Sequence, residues 1–287
     1  MKGIVLAGGK GTRLYPITKC CYKPLLPVYD KPMIYYPLSV LMRAGIKDIL
    51  IITPPDGEEP FRQLLEDGSQ FGITISYKQQ MVQRGIADAF IVGEEFIGND
   101  DVCLVLGDNI FDGPGFSIDL KHAVENKHGA TVFGYYVEDP RPFGVVEIGV
   151  DGKAISIEEK PLEPKSHYII PGLYFYDNRV IEIAKHIKPS ARGELEITAV
   201  NNTYLEMGEL NVIRLGRKFC WYDTGNAESM FQAAEAIREI QRSGRMVGCL
   251  EEIAYEKGFI DCEQLTTVAE AMKMTEYGKV LAEIAKQ

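Results

Sequence analysis

Gly8, Gly9 and Gly11 close an apolar run that ends at Ala7, and two cations, Arg13 and Lys23, follow shortly after. Glycine reaches positive φ without penalty and lets backbone N–H groups come close to a ligand. A glycine loop placed after a strand makes a nest for phosphate oxygens, and the two cations would sit at the same strand end. Two commoner glycine motifs fail on spacing. A Walker A loop needs Gly-Lys followed by Ser or Thr, but Lys10 is followed by Gly11. The dinucleotide fingerprint G-x-G-x-x-G breaks at Leu14, and the prolines from Pro16 onward do not open a long helix. A plain connecting turn is the bland alternative, opposed by the three glycines and their downstream cations.

The acidic candidates lie far away in sequence. Asp108 follows the apolar run 102–106, which places a carboxylate at the end of a buried strand. Open α/β sheets bind ligands at that rim. Asp223 follows a second short run, 219–222. Two carboxylates with phosphate oxygens and waters suit Mg²⁺, which seldom takes an all-protein cage; a capping role for Asp108 is the open alternative. Gln80 offers a donor and an acceptor to a base edge, or is a surface glutamine, and Gln79 beside it leaves an offset of one open. Glu159 and Lys160, read alone, are a solvated charge pair, although a carboxylate can take sugar hydroxyls and a lysine a sugar phosphate.

These residues need a scaffold. Apolar runs at 2–7, 48–53 and 102–106, with 73–78 alternating, are separated by helical patterns at 33–44, 58–67 and 85–96. That order indicates βαβ units and a parallel sheet. Strand patterns at 131–137, 144–148, 173–176, 211–215 and 219–222 follow, with helices at 178–187 and 194–206. Asp151-Gly152 between two alternating runs signals a hairpin. The pattern from 226 onward is helical. The expected fold is α/β: a Rossmann-like mixed, mainly parallel sheet flanked by helices, with a β-hairpin insert over its C-terminal edge and a helical tail. The core spans 1–225, with a nucleotide-binding part over 1–112 and a sugar-binding part over 130–225; the tail, 226–287, is the candidate for assembly or regulation.

The 287 residues are 46% apolar, enough for a sizeable core, and 31 basic against 41 acidic residues leave a net charge of −10. That balance speaks against nucleic acid or an anionic membrane as the main partner. No apolar stretch is long enough to span a bilayer or to serve as a signal peptide, so a cytoplasmic location is expected. Six cysteines, including the adjacent Cys20 and Cys21, show no metal-ligand spacing and read as free thiols.

LAGGKGTRLYPITKCCYKPLLP (6–27), LVLGDNIF (104–111), FGVVE (143–147), SIEEKPLEPKSHY (156–168), PGLYFYDN (171–178), KPSARGELEIT (188–198), WYDTG (221–225) and CLEEIAY (249–255) run in this order along almost the whole chain. Together they resemble the sugar-nucleotidyltransferase family, in particular its branch that moves a thymidylyl group from dTTP to glucose 1-phosphate at the start of dTDP-L-rhamnose synthesis. The resemblance implies Mg²⁺ held by Asp108 and Asp223, with Arg13 and Lys23 as the catalytic cations. It places nucleotide contacts at Leu6, Gly8, Gly9, Gly11, Thr12, Arg13, Gln80, Gly85 and Asp108, and sugar contacts at Asn109, Gly144, Glu159, Lys160 and Ile170. A second, regulatory nucleotide site at a subunit interface is implied at Arg217, Glu252 and Ile253, and the assembly implied is a homotetramer, a dimer of dimers.

Several positions depart from that branch. Pro24 stands where glutamine is usual, Phe143 where tyrosine is frequent and Ala199 where aspartate is common. FDGPGF (111–116), with Asp112 and Pro114, departs in the region of the regulatory site. Two rival readings follow: uridylyl or cytidylyl transfer to a sugar 1-phosphate, and a non-catalytic sugar-nucleotide-binding regulatory subunit.

Overall fold

The computed structural model of the chain describes residues 1–9 and 11–286, so Lys10 of the glycine loop and Gln287 lie outside the described residues. Its centre is the set of apolar runs seen in the sequence. β1 (Lys2–Leu6) is followed by a small hairpin of β2 (Pro27–Val28) and β3 (Lys31–Pro32), then by β4 (Asp48–Thr53), β5 (Thr74–Gln79) and β6 (Val102–Leu106). β5, β4, β1 and β6 pair in parallel in that order. The Val/Ile/Leu-rich β1, β4 and β6 suit burial on both faces.

The register explains where a site can form. Leu6 pairs with Ile52 and with Leu106, and Thr53 pairs with Gln79. The C-terminal ends of four strands are therefore level, and the glycine loop, Gln80 and Asp108 emerge along one rim.

Beyond β6 come β7 (Asn109–Asp112), β8 (Ala130–Tyr136), β9 (Gly144–Ile148), β10 (Ala154–Glu159), β11 (Tyr168–Ile169), β12 (Leu173–Tyr176), β13 (Leu210–Arg214) and β14 (Cys220–Asp223). β12 joins β6 antiparallel, and β8, β11, β9 and β10 extend the same sheet to its edge, with β13 on β8. The hairpin indicated by Asp151-Gly152 is β9–β10. Its loop covers residues 149–153, closed by Gly149 N–H donating to Lys153 O at 2.8 Å, and the hairpin continues the sheet instead of lying across it.

Helices cover both faces. Tyr35–Arg43, with Pro37 tolerated in its first turn, lies on one side, where Leu250–Glu256 packs against it. Residues of Cys262–Ala271 and Glu276–Ile284 share the same apolar cluster, so the C-terminal segment is built into the core. Asp88–Val92, Val180–His186 and Ile197–Glu206 contribute to the cluster on the other face. The helix expected over 85–96 is split at Gly93 into Asp88–Val92 and Glu94–Ile97, consistent with the cost of glycine inside a helix. Among the described residues, no helix is long and apolar enough to cross a membrane, and all six cysteines are free.

Candidate active site

The two acidic candidates meet through a ribbon. β7 and β14 pair antiparallel apart from the main sheet, with Asp223 opposite Asn109. Thr224 locks the crossing: its N–H and its hydroxyl donate to Asp108 O at 3.2 and 2.8 Å. Just beyond, Asn226 and Ser229 form a reciprocal capping box that starts the helix Ala227–Arg242. Asp223 is thus held between a strand pair and a capped helix.

Asn109 acts as a clamp at this point. Its Oδ1 accepts from Trp221 Nε1 at 2.7 Å and from Gly172 N–H at 3.1 Å, while its Nδ2 donates to Asp108 Oδ1 at 2.9 Å. The side chain assigned by resemblance to the sugar thus also orients Asp108. The other Asp108 oxygen pairs with the ammonium of Lys23, which is buried. Lys23 opens a short 3₁₀ turn, Lys23–Leu25. Pro24 follows within that turn, where a missing N–H costs little.

Burial, and then the charge of Asp108, raise the Asp223 carboxyl above the usual aspartate range, while Lys23, Arg13 and Lys160 oppose that shift. Two neighbouring carboxylates lining one part-buried cleft are a hard-oxygen donor set that suits a divalent cation, and Lys23, Arg13 and Lys160 offset their mutual repulsion.

A cleft of about 650 Å³ brings together Arg13, Asp108, Asn109, Gly144, Glu159, Lys160, Ile170 and Asp223 from the sequence reading. Arg13 sits in the 3₁₀ turn Thr12–Leu14 and is exposed, and its guanidinium packs on Gly225, where a Cβ would lie 2.9 Å from Nη2. On the opposite wall the strand ends are stitched together: Ile170 N–H donates to Gly144 O at 2.8 Å and Lys160 N–H to Phe143 O at 3.0 Å. Glu159 is not a solvated charge. It accepts from Thr198 Oγ1 at 2.5 Å and lies 3.4 Å from Arg192 Nη2. Phe143, without the hydroxyl of a tyrosine, packs edge-on against Trp221 with ring centroids 5.3 Å apart.

The glycine-loop side carries the remaining residues. Leu6 ends β1, and its carbonyl accepts from Gly107 N–H at 2.9 Å. Gly11 has φ 61° and leads into the turn that holds Thr12. Gln80, only 3% exposed, lies against Gly8, whereas the Gln79 side chain accepts from Asp56 N–H, so Gln80 is the one beside the loop. Gln83 Nε2 donates to Gly8 O. Gly85 has φ 107°, and a Cβ there would fall 2.5 Å from Leu195 O; the chain's own packing demands this glycine. A second cleft of about 620 Å³, lined by Gly9, Tyr15, Thr18, Tyr22, Met81 and Gln83 among others, shares the loop.

Arg217 is exposed between β13 and β14, Glu252 is half-buried and Ile253 is buried on Leu250–Glu256; none of the three lines the 650 Å³ cleft. Asp112 is held by both guanidinium nitrogens of Arg245, at 2.7 and 2.6 Å. Sequence reasoning assigned no role to Trp221, Gly172, Thr198, Gly225 or Asp88. Trp221 and Gly225 are within reach of the sequence, since they flank Asp223 in WYDTG; Gly172 and Thr198 act across long sequence distances and leave no local signal, and Asp88, only four and eight residues from its partners Arg84 and Gln80, belongs to no motif.

A family model described as nucleotidyl transferase matches residues 2–240. A glucose-1-phosphate thymidylyltransferase of Neisseria meningitidis is 57% identical over 288 residues, covering 100% of both chains. One from Mycolicibacterium smegmatis is 53% identical, with 99% of each chain covered. Among solved structures, a Bacillus anthracis protein assigned as a glucose-1-phosphate thymidylyltransferase, in complex with a sucrose, superposes with TM-score 0.77 at 44% identity, covering 83% of this chain and 96% of that one. A UDP-glucose pyrophosphorylase complexed with UDP-glucose superposes with TM-score 0.72 at 26% identity, covering 83% and 98%.

Proposed function

The chain belongs to the nucleotidyl transferase family, and on that premise we propose that it transfers dTMP from dTTP to glucose 1-phosphate and releases pyrophosphate. The observation that carries the site assignment is the β7–β14 ribbon, which sets Asp223 beside Asp108 in a cleft lined also by Arg13 and Lys160, with the buried Lys23 paired to Asp108 behind it. The thymidylyl reading is favoured over uridylyl transfer because full-length relatives at 57% and 53% identity carry that name, against 26% for the UDP-glucose enzyme.

The chemistry asks little of protein nucleophiles. A phosphate oxygen of glucose 1-phosphate is already anionic, attacks the α-phosphorus of dTTP and displaces pyrophosphate, so no general base is required. Catalysis rests on alignment and charge neutralisation, and alignment alone can supply about 7–11 kcal/mol. Asp108 and Asp223 are the residues that would hold Mg²⁺, whose contribution when bound is to neutralise phosphate charge. Arg13, exposed at the mouth and braced on Gly225, is placed to hold the β- and γ-phosphates. Lys23 lies next to Asp108, where it would steady the reacting phosphates. Glu159, oriented by Thr198, and the backbone at Gly144 and Ile170 offer acceptors for sugar hydroxyls, and the glycine loop with Gln80 receives the nucleotide. The same reading gives the N-terminal part to the nucleotide and residues 130–225 to the sugar, assigns Arg217, Glu252 and Ile253 to a regulatory nucleotide site in a homotetramer, and puts the enzyme in the cytoplasm, supplying a deoxysugar pathway.

The test is pyrophosphate release measured over a matrix of dTTP, UTP and CTP against sugar 1-phosphates, with Mg²⁺ titrated. The expected result is a maximum for dTTP with glucose 1-phosphate and a Mg²⁺ requirement that Asp108→Asn and Asp223→Asn both weaken. A maximum for UTP or CTP replaces the nucleotide assignment, and absence of release with every pair excludes the transferase.

A further inference from the structure

Asp88 is only 1% exposed and takes no part in the transfer chemistry. It begins the helix Asp88–Val92, and both its oxygens are engaged. Oδ1 accepts from Arg84 Nη2 at 2.7 Å, and Oδ2 accepts from Gln80 Nε2 at 2.8 Å. Arg84 is half-exposed, so it ties the buried carboxylate to the surface and supplies its counter-charge.

This arrangement removes a freedom that an amide normally has. The two ends of a glutamine amide are nearly isosteric, and either can face a given partner. A carboxylate only accepts, so Gln80 must turn its NH₂ toward Asp88. The reverse orientation would set Gln80 Oε1 against a carboxylate oxygen in a buried place, with a lost hydrogen bond and a repulsive pair. Oε1 therefore points away from Asp88, toward the glycine loop, where it lies 2.9 Å from the position of a Gly8 Cβ. Among the described residues it receives no hydrogen bond.

We infer that Asp88, anchored by Arg84, fixes the amide of Gln80 so that the nucleotide cleft is offered a carbonyl acceptor, and that it thereby selects a pyrimidine with a hydrogen on N3 over one without. The inference rests on the reading that Gln80 meets the base. Thymine and uracil present an N3–H donor beside an O4 acceptor. The first matches Gln80 Oε1, and the second matches the amide hydrogen that Asp88 leaves free. Cytosine presents the opposite pattern, an N3 acceptor beside an amino donor, and would require the amide orientation that Asp88 forbids. Asp88 is a positioning residue: it acts on the base through Gln80.

dUTP and dCTP differ only along this edge, which makes them the probes. Binding is read by quenching of Trp221, the one tryptophan of the chain and part of the wall of the 650 Å³ cleft that Arg13 and Asp108 also line, and turnover by pyrophosphate release. The native protein should favour dUTP over dCTP by roughly 10- to 100-fold in kcat/KM and in affinity. Asp88→Asn can accept or donate, so Gln80 is free to turn, and the dUTP/dCTP ratio should fall about tenfold or more; Asp88→Ser releases the same constraint if the asparagine variant does not fold. A native protein that binds the two nucleotides equally overturns the inference. So does a folded Asp88 variant that keeps the native ratio while Gln80→Ala loses it. If Gln80→Ala itself keeps the ratio, the assignment of Gln80 to the base is what fails, and the inference fails with it. A change confined to stability would move the unfolding midpoint and leave the ratio untouched.

Discussion

Asn109→Ala is the sharpest test of how the acidic pair is held. The substitution removes three hydrogen bonds at once: the one to Asp108 Oδ1 and those from Trp221 Nε1 and Gly172 N–H. A bond to a charged group is worth about 1.5–3 kcal/mol and each neutral one about 1 kcal/mol. The half-buried Trp221 N–H can recover part of its loss from water in the cleft, so the expected destabilisation is about 2–4 kcal/mol, read by urea unfolding. The functional effect should be larger than the stability effect suggests. Residues that orient a metal-ligating carboxylate typically change metal affinity or activity by about 10- to 100-fold when removed. The Mg²⁺ concentration for half-maximal pyrophosphate release should therefore rise by that factor, with the KM for glucose 1-phosphate changing less. The opposite split, an unmoved Mg²⁺ midpoint with a large rise in sugar-phosphate KM, would show that Asn109 meets the sugar directly and would refute the clamp.

Arg13→Ala should lower kcat by roughly 10²- to 10³-fold, the usual effect of removing one charge-stabilising donor, while the exposed side chain leaves the unfolding midpoint unchanged; near-normal turnover would remove Arg13 from the mechanism. Gly225→Ala should reproduce part of that loss in a stable protein, because its Cβ would meet the flexible guanidinium at 2.9 Å and push it aside; unaltered turnover would show that Gly225 does not set the Arg13 position. Gly85→Ala combines a φ of 107° with a Cβ 2.5 Å from Leu195 O and should cost at least about 2 kcal/mol in denaturant unfolding; an unchanged midpoint would contradict the local backbone. Burial raises the Glu251 carboxyl above the ordinary glutamate value despite its bond from Tyr277. Between the unfolded and the raised folded pKa the folded state holds a proton that the unfolded chain has released, so this group's stability contribution is full below the unfolded pKa and is lost as pH rises through the folded one. Glu251→Gln should flatten that part of the pH–stability profile, and parallel profiles for the two proteins would argue against the burial effect.

The sheet was legible because its centre obeys local rules. β1, β4 and β6 are short continuous apolar runs bounded by glycine or acidic residues, and the strand ends they imply put the glycine loop and Asp108 on one rim. β7 was not legible: NIFD follows Gly107-Asp108 directly, too short for a period and with no turn of its own, and it becomes a strand only because Cys220–Asp223 pairs with it. The meeting of Asp108 with Asp223 is for that reason a long-range fact that the residues alone left open. The resemblance implies a nucleotide contact at Gly85, and the structure adds that its glycine is required by the backbone of Leu195, a neighbour far along the chain. Glu159 read alone as solvated charge because Thr198 and Arg192, which bind it, come from beyond the next two strands.

The places where sequence rules were broken are themselves informative. A like-charged pair, a buried lysine, a buried aspartate and a positive φ at Lys160 are each unfavourable in isolation, and stability alone would have replaced them. They occur around one cleft and its glycine-loop rim, and three of the four rest on a defined element: the β7–β14 ribbon for the carboxylates, a proline-containing 3₁₀ turn for Lys23, and the helix that starts at Asp88 for that aspartate and the amide of Gln80. Such concentration of local conflict on rigid supports is what a preorganised polar site requires. It also separates the roles of the first thirty residues. On the proposed reading the glycine loop receives phosphates and Arg13 supplies charge, while Asp108 and Gln80, the groups that reading gives to the metal and the base, are oriented by Asn109, Thr224 and Asp88, which lie outside that segment.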